Sequence, residues 1–376
     1  MRHMSKVRQS TPISIASKRR KKRAKQIALF KRRQAKALRG LRRQRGHRKG
    51  FKTRPVFPAF NVHTASSVTR TADCKLCIEL PRNLDFEDNY ESTASHFAVL
   101  RKAVHENAPI KHLRFDKLNS ISPSAALVLA SEVDRWNQKV NGRLNARLRT
   151  WNEEVKRLLC QMGYFELLGL KKPDSVLADG NTTFLRFRRG YTGQDGGALA
   201  KELRVEIERI VGESIQKQFL FEGLSEAITN VGQHAYQNAT NMTLRQWWLS
   251  ASYQRKERKL CVTFFDQGDG IPQTLPRAYF FELFKDTFHA WTDSQKIAAA
   301  MEVGRSSTKK EGRGMGLQNL VEFAKVHKKG QLSIYSLRGM YRRNFSVDGF
   351  QQCNLSSQKN HFVSIGGTLI EWSVML

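Results

Sequence analysis

Glu226, Asn230 and His234 stand four residues apart in the stretch Leu224-Ser225-Glu226-Ala227-Ile228-Thr229-Asn230-Val231-Gly232-Gln233-His234-Ala235-Tyr236. On a helix that spacing stacks them on one face, one turn apart. A carboxylate one turn from a carboxamide suits metal-assisted phosphate chemistry. The carboxylate can polarise a water or a hydroxyl, and the amide oxygen can ligate magnesium. Leu224, Ile228, Val231 and Ala235 fall at offsets 0, 4, 7 and 11, a core-facing stripe that predicts an amphipathic helix. The same pair also suits a solvated helix face with no chemistry, so the rest of the chain must complete the site. His234 reads as a packing or hydrogen-bonding residue rather than a phosphoacceptor.

Two further groups could complete it. Asp266-Gln267-Gly268-Asp269-Gly270-Ile271-Pro272 follows a strand pattern. An aspartate at the end of a buried strand can accept a hydrogen bond from an exocyclic amine, and Gly268 and Gly270 let backbone pass close to a flat ligand. A plain turn is the alternative. Gly312-Arg313-Gly314-Met315-Gly316-Leu317 runs into a helix predicted over Leu317 to His327. Alternate glycines at a helix start offer free N–H groups and the positive end of the dipole, where phosphates bind. This is not a Walker A loop, because no Gly-Lys-Ser/Thr follows, and it lacks Rossmann spacing.

The elements that must position these residues occupy 198–376. Ala198 to Phe219 predicts a long amphipathic helix before the Glu226 helix. Met242 to Gln254 and Leu260 to Phe265 predict strands, joined as a hairpin by Arg255-Lys256-Glu257-Arg258-Lys259. Gln331 to Leu337 and Thr368 to Val374 predict two more, the last led in by Gly366-Gly367. Between the glycine groups, about 273–311, lies a long connection with an aromatic cluster (Tyr279, Phe280, Phe281, Phe284, Phe288, Trp291) that suits a core, and a helix-like run Ser294 to Val303. Arg305-Ser306-Ser307-Thr308-Lys309 ends it. A cation there could reach a terminal phosphate, or the loop could be solvated.

Upstream, 73–190 predicts a smaller α/β domain: strands at Cys74 to Leu80 and Lys111 to Phe115, helices at Asn89 to Glu106 and Ala125 to Trp136, then a strand around Ala146 to Trp151 and a helix from Asn152 to Leu168. Pro123 suits the first turn of the second helix, with Ser122 as its cap. A domain boundary falls in the Gly-rich 191–200 segment, and 55–72 reads as a linker. Residues 1–54 hold 22 Lys and Arg and no Asp or Glu, out of a net charge of +32. Too few apolar residues accompany them for a packed core, so the tail is expected to be disordered. Phosphate neutralisation on nucleic acid, or on a ribonucleoprotein, is the expected use. A solubilising or targeting tail with no dedicated partner is the bland alternative.

No stretch of about 18 apolar residues is present, so no membrane span is expected. The five scattered cysteines suit a reducing, cytoplasmic setting. Cys74-x-x-Cys77 lacks the second pair that a zinc ribbon needs.

The order Glu226-x-x-x-Asn230, then Asp266-x-Gly268-x-Gly270, then Gly312-x-Gly314-x-Gly316-Leu317, then Gly367-Thr368 before a final strand resembles the GHKL ATPases. That family includes gyrase, histidine kinases, MutL and the anti-sigma-factor serine kinases. The resemblance covers about 198–376 and implies a Bergerat-fold α/β sandwich, with helices on one face of a mixed sheet. It implies ATP and magnesium as cofactors: Asn230 as the metal ligand, Glu226 as the general base, and Asp266 on the adenine amino group with Thr368 in support. Gly268 and Gly270 would border the base, Gly312, Gly314, Gly316 and Leu317 would wrap the phosphates, and 273–311 would be the ATP lid. Many relatives dimerise on ATP binding.

Residues Leu113 to Val133, with Glu154 to Leu159 and Met162-Gly163-Tyr164-Phe165, resemble the STAS domain of anti-sigma-factor antagonists. Ser124 falls where that family carries a phosphorylated serine. It also reads simply as a first-turn helix residue. Three activities therefore compete: a nucleic-acid-associated ATPase or ATP-driven switch (a hydrolase), a protein serine or histidine kinase acting on the STAS-like domain, and a non-catalytic ATP-binding module. The Ala198 to Phe219 helix contains no His, which disfavours a sensor kinase.

Overall fold

The computed structural model describes residues 68–70, 76–106, 110–140, 150–170, 180–212, 215–237, 245–275, 290–303, 316–327, 329–348 and 351–376. All of them belong to one compact unit, Asn61–Leu376. The basic tail, Cys74, the strand expected from Ala146, most of the expected lid, and Gly312 and Gly314 lie outside the described residues.

The strands are β1 (Val68–Arg70), β2 (Leu76–Glu79), β3 (Asn83–Leu84), β4 (Ile110–Arg114), β5 (Ser120–Ile121), β6 (Thr182–Tyr191), β7 (Gln246–Gln254), β8 (Lys259–Asp266), β9 (Lys329–Ser336), β10 (Gly339–Asp348), β11 (Gln351–Asn360) and β12 (Thr368–Met375). The helices are α1 (Tyr90–His105), α2 (Pro123–Val140), α3 (Glu153–Gln161), α4 (Tyr164–Leu167), α5 (Gly196–Val211), α6 (Lys217–Asn230), α7 (Ile271–Thr274), α8 (Asp293–Val303) and α9 (Gly316–Lys325). A π-helical segment, Val231–Ala235, continues α6.

A seven-stranded sheet, in the order β11-β10-β9-β12-β8-β7-β6, dominates this α/β fold. The mixed sheet expected above is not what forms, because every neighbouring pair is antiparallel. The reason is topological. β8 and β9 run the same way across a helical crossover, but β12 inserts between them and opposes both.

Alternation along the strands builds two cores. Trp247, Leu249, Phe264, Ile334 and Ile370 face the layer that contains α5, α6, α8 and α9. Trp248, Phe265, Tyr335 and Leu369 face the opposite way and merge with the core of 76–170. Burying such side chains contributes roughly 1.5–3 kcal/mol each, so both faces need a cover.

The second cover is the smaller α/β layer. There β1, β2 and β4 form one sheet, β3 and β5 pair, and α1 and α2 pack together. The expected linker 55–72 ends in β1, which pairs antiparallel with β2. β6, placed by sequence within 73–190, pairs instead with β7 at the edge of the large sheet.

Two helix expectations need correction. The helix expected over Ala198 to Phe219 is two helices. Asp195 caps the first through Gly197 N and Ala198 N, and Gly212, at φ 72°, ends it. The helix expected over Asn152 to Leu168 breaks at Gly163 into α3 and α4.

Candidate functional site

Three strands of the large sheet end level with one another. Thr368, at the start of β12, is the cross-strand neighbour of Asp266 at the end of β8 and of Ser336 at the end of β9. Residues two apart on a strand share a face. Asp266, Thr368 and Ser336 therefore face the α5–α6–α9 side, like Phe264, Ile370 and Ile334. All three are buried. The hydroxyl oxygens of Ser336 and Thr368 lie 2.9 Å apart, and Ser336 Oγ also accepts from Ile271 N at 2.9 Å.

Burial raises the Asp266 carboxyl from the ordinary 3.8 to about 7; the Gly268 N–H opposes the shift and the Asp269 charge adds to it. The Gly268 amide donates to Asp266 Oδ1 at 2.9 Å. The neighbouring strand places Thr368 next to this carboxyl, with Ser336 one strand further on.

The glycines expected to border a flat ligand make close approaches. A Cβ on Gly268 would lie 2.2 Å from the carbonyl oxygen of Ala235. In the same contact Asp269 N donates to Ala235 O at 2.5 Å. The loop after Asp266 is thus seated directly on the π-helical continuation of α6. Tyr236 adds to the joint: its hydroxyl accepts from Gln267 N at 3.0 Å and donates to Gln246 O. On the other flank, a Cβ on Gly367 would lie 2.0 Å from the Asp266 carbonyl oxygen, so the turn before Thr368 can only be this close without a side chain.

Glu226 and Asn230 lie on α6, both half-buried, and their side chains are hydrogen-bonded to each other. A carboxylate only accepts, so in this pair the Asn230 amide group is the donor. Desolvation raises the Glu226 carboxyl above the ordinary glutamate value, and the Asn230 bond opposes that rise. A general base gains strength from such a shift. His234, in the π segment, is shifted down by burial, which keeps its ring neutral near pH 7. α9 begins at Gly316, and its Asn319 backbone packs against Gly223 of α6.

The structure therefore brings Asp266, Gly268, Gly270 and Thr368 around one spot and joins it, through Ala235, to the helix bearing Glu226 and Asn230. Gly316 and Leu317 open the helix beside α6. Sequence reasoning missed Ser336 and Tyr236. Ser336 had a signal, a hydroxyl closing the buried run Leu332 to Tyr335. Tyr236 closes the helix pattern and reads there as one more apolar residue.

Ser124 sits elsewhere. It is buried at the start of α2, 3.2 Å from the Ser122 hydroxyl, and it hydrogen-bonds to Glu371. Glu371 is three residues beyond Thr368 on β12, so it faces the opposite side of the sheet. A cleft of about 420 Å³ lies between β6 and the α2–α4 region, where Arg186 pairs with Glu166 and Arg189 with Asp134. Its charges are matched within the protein.

No protein-family model matches the chain, and no curated protein matches it.

Proposed function

We propose that 198–376 is a magnesium-dependent ATP-binding unit of the GHKL type, a Bergerat sandwich backed by a STAS-like layer. It acts as an ATPase or ATP-driven switch. The observation that carries this reading is the row Asp266–Thr368–Ser336 on the helix side of the sheet, tied through Gly268 and Ala235 to the helix of Glu226 and Asn230. A buried carboxyl followed along the row by the Thr368 and Ser336 hydroxyls fits the donor and acceptor edge of an aminopurine. Bound Mg-ATP would supply the phosphoanhydride and the charge neutralisation that its cleavage needs.

The residues divide the work. Asp266 accepts from the base amine, and Thr368 and Ser336 order the neighbouring edge. Gly268 and Gly270 let their loop close on Ala235 and on Leu337, which seats it at the end of the row where the base would lie. Asn230 offers its amide oxygen to the ion, and Glu226 takes a proton from an attacking water. Among the described residues no three His, Cys, Asp or Glu gather as a metal site, so the ion would rest on Asn230, phosphate oxygens and water. The basic tail 1–54 would hold the unit on nucleic acid in a reducing, cytoplasmic setting.

The kinase reading, with Ser124 as acceptor, is the weaker one. Ser124 is buried against Glu371 on the sheet face away from Asp266, so transfer within one molecule has no direct route. Incubation with γ-labelled ATP tests the choice. Free labelled phosphate, lost in Glu226→Ala while ATP binding persists, is the expected result. Label on protein that disappears in Ser124→Ala would establish the kinase instead, and normal turnover by Glu226→Ala would remove the base assignment.

A further inference from the structure

The turn that delivers Thr368 is tied on one side to the end of β9, where Ile365 N donates to Leu337 O at 2.8 Å and Gly367 O accepts from Leu337 N at 3.1 Å and from Ser336 Oγ at 3.2 Å. It is also held from across the sheet by α1. Tyr90, Phe97 and Arg101 fall on one face of that helix, at offsets 0, 7 and 11. Along this face and its first turn α1 meets the segment 361–367 step by step. Glu91 accepts from Phe362 N at 3.0 Å and Val363 N at 3.2 Å. The Tyr90 hydroxyl donates to Val363 O at 3.2 Å, and its ring stacks on His361 with centroids 3.6 Å apart. Arg101 donates to Ile365 O, and its guanidinium lies where a side chain on Gly366 would have to go.

Arg101 is itself fixed. Its Nε donates to Glu132 Oε1 at 2.8 Å, and Glu132, on α2, is fully buried. A charged hydrogen bond in such surroundings is stronger than a neutral one. α2 also reaches the other turn of the site, because Gln267 donates to Ser131 Oγ at 3.3 Å. Both turns flanking the Asp266–Thr368 row are thereby anchored in the smaller layer. The loop 361–367 has irregular backbone, whose polar groups need partners when buried. Here α1 side chains supply several of them.

We propose that α1 is the positioning element of the base-binding end of the site, and that Arg101 is its key positioning residue. Through the Ile365 carbonyl, Arg101 sets the Gly366-Gly367 turn so that the Thr368 hydroxyl stands beside Asp266 and Ser336. Purine discrimination is then set from the face of the sheet that carries no nucleotide. This inference rests on the ATP-binding reading.

The test uses the full chain and the variants Arg101→Gln and Tyr90→Phe, with two readouts. Amide hydrogen exchange over 361–368 is expected to quicken about tenfold in Arg101→Gln, the loss of one charged hydrogen bond, while the centres of β8 and α6 keep their protection. Titration with fluorescent ATP and GTP analogues is expected to show ATP affinity falling by a similar factor, so that preference for ATP over GTP shrinks. Tyr90→Phe should change both in the same direction by less, and it decides the matter if Arg101→Gln does not fold. Unchanged exchange and unchanged ATP preference in a folded variant overturn the proposal. So does faster exchange spread evenly over β8 and α6, which marks a merely stabilising arginine. Wild-type protein that binds neither analogue contradicts the ATP reading; selective loosening of 361–368 would still support the positioning role.

Discussion

Asp266 is the residue on which the site turns, and its protonation links the site to stability. Its carboxyl stands at about 7 in the folded chain, mainly through burial. In the unfolded chain it returns to roughly 3.9. Between those values the folded state holds a proton that the unfolded state has released. Stability therefore falls as pH rises through that window, and the penalty is complete above 7. Asp266→Asn removes this dependence. Its melting temperature should gain on the wild type as pH rises from 4 to 8, whereas parallel profiles would show that the carboxyl is not perturbed. The place of Asp266 at the end of a strand was legible in the sequence, because a strand ending in Asp-x-Gly-x-Gly needs only local pattern. Ser336 was not, since its place beside Thr368 depends on β12 inserting between β8 and β9.

At the scale of elements, the joint between α6 and the 267–270 loop matters most. The stripe Leu224, Ile228, Val231, Ala235 fits an ordinary α-helix, so nothing in it announced the π segment Val231–Ala235. π-segments of this kind occur often at functional sites. Here one brings the Ala235 carbonyl against Gly268 and Asp269. Gly268→Ala would force that joint apart and should lower unfolding stability by about 1–3 kcal/mol, the usual cost of overpacking. ATP affinity should fall with it. Urea denaturation together with nucleotide titration checks both, and a variant as stable as the wild type would mean that the loop has room to move. Strand patterns for β7, β8, β9 and β12 were readable because their apolar residues are dense. β6 was hidden by Arg186, Arg188 and Arg189 on an edge strand, and β10 and β11 by the polar composition of an edge hairpin.

For the whole molecule, the sheet lies between two layers. One bears Glu226 and Asn230; the other bears Ser124, buried against Glu371. The doublets Trp247-Trp248 and Phe264-Phe265 carried a signal of this, because paired bulky residues on a strand demand cover on both faces. Without knowledge of which segment supplied the second cover, the sequence suggested a separate domain instead. The tail stands apart as a charge argument. Deleting 1–54 removes 22 cationic side chains and should abolish salt-sensitive DNA or RNA binding in a filter assay. Binding that persists with the same salt slope would place the contact elsewhere. The central claim is that the Asp266 end of the sheet holds the base of ATP. Calorimetric titration of the full chain with ATP and magnesium tests it most directly. Saturable binding by the wild type, lost in a folded Asp266→Asn, is the predicted result; equal binding by both, or none by the wild type, would contradict it.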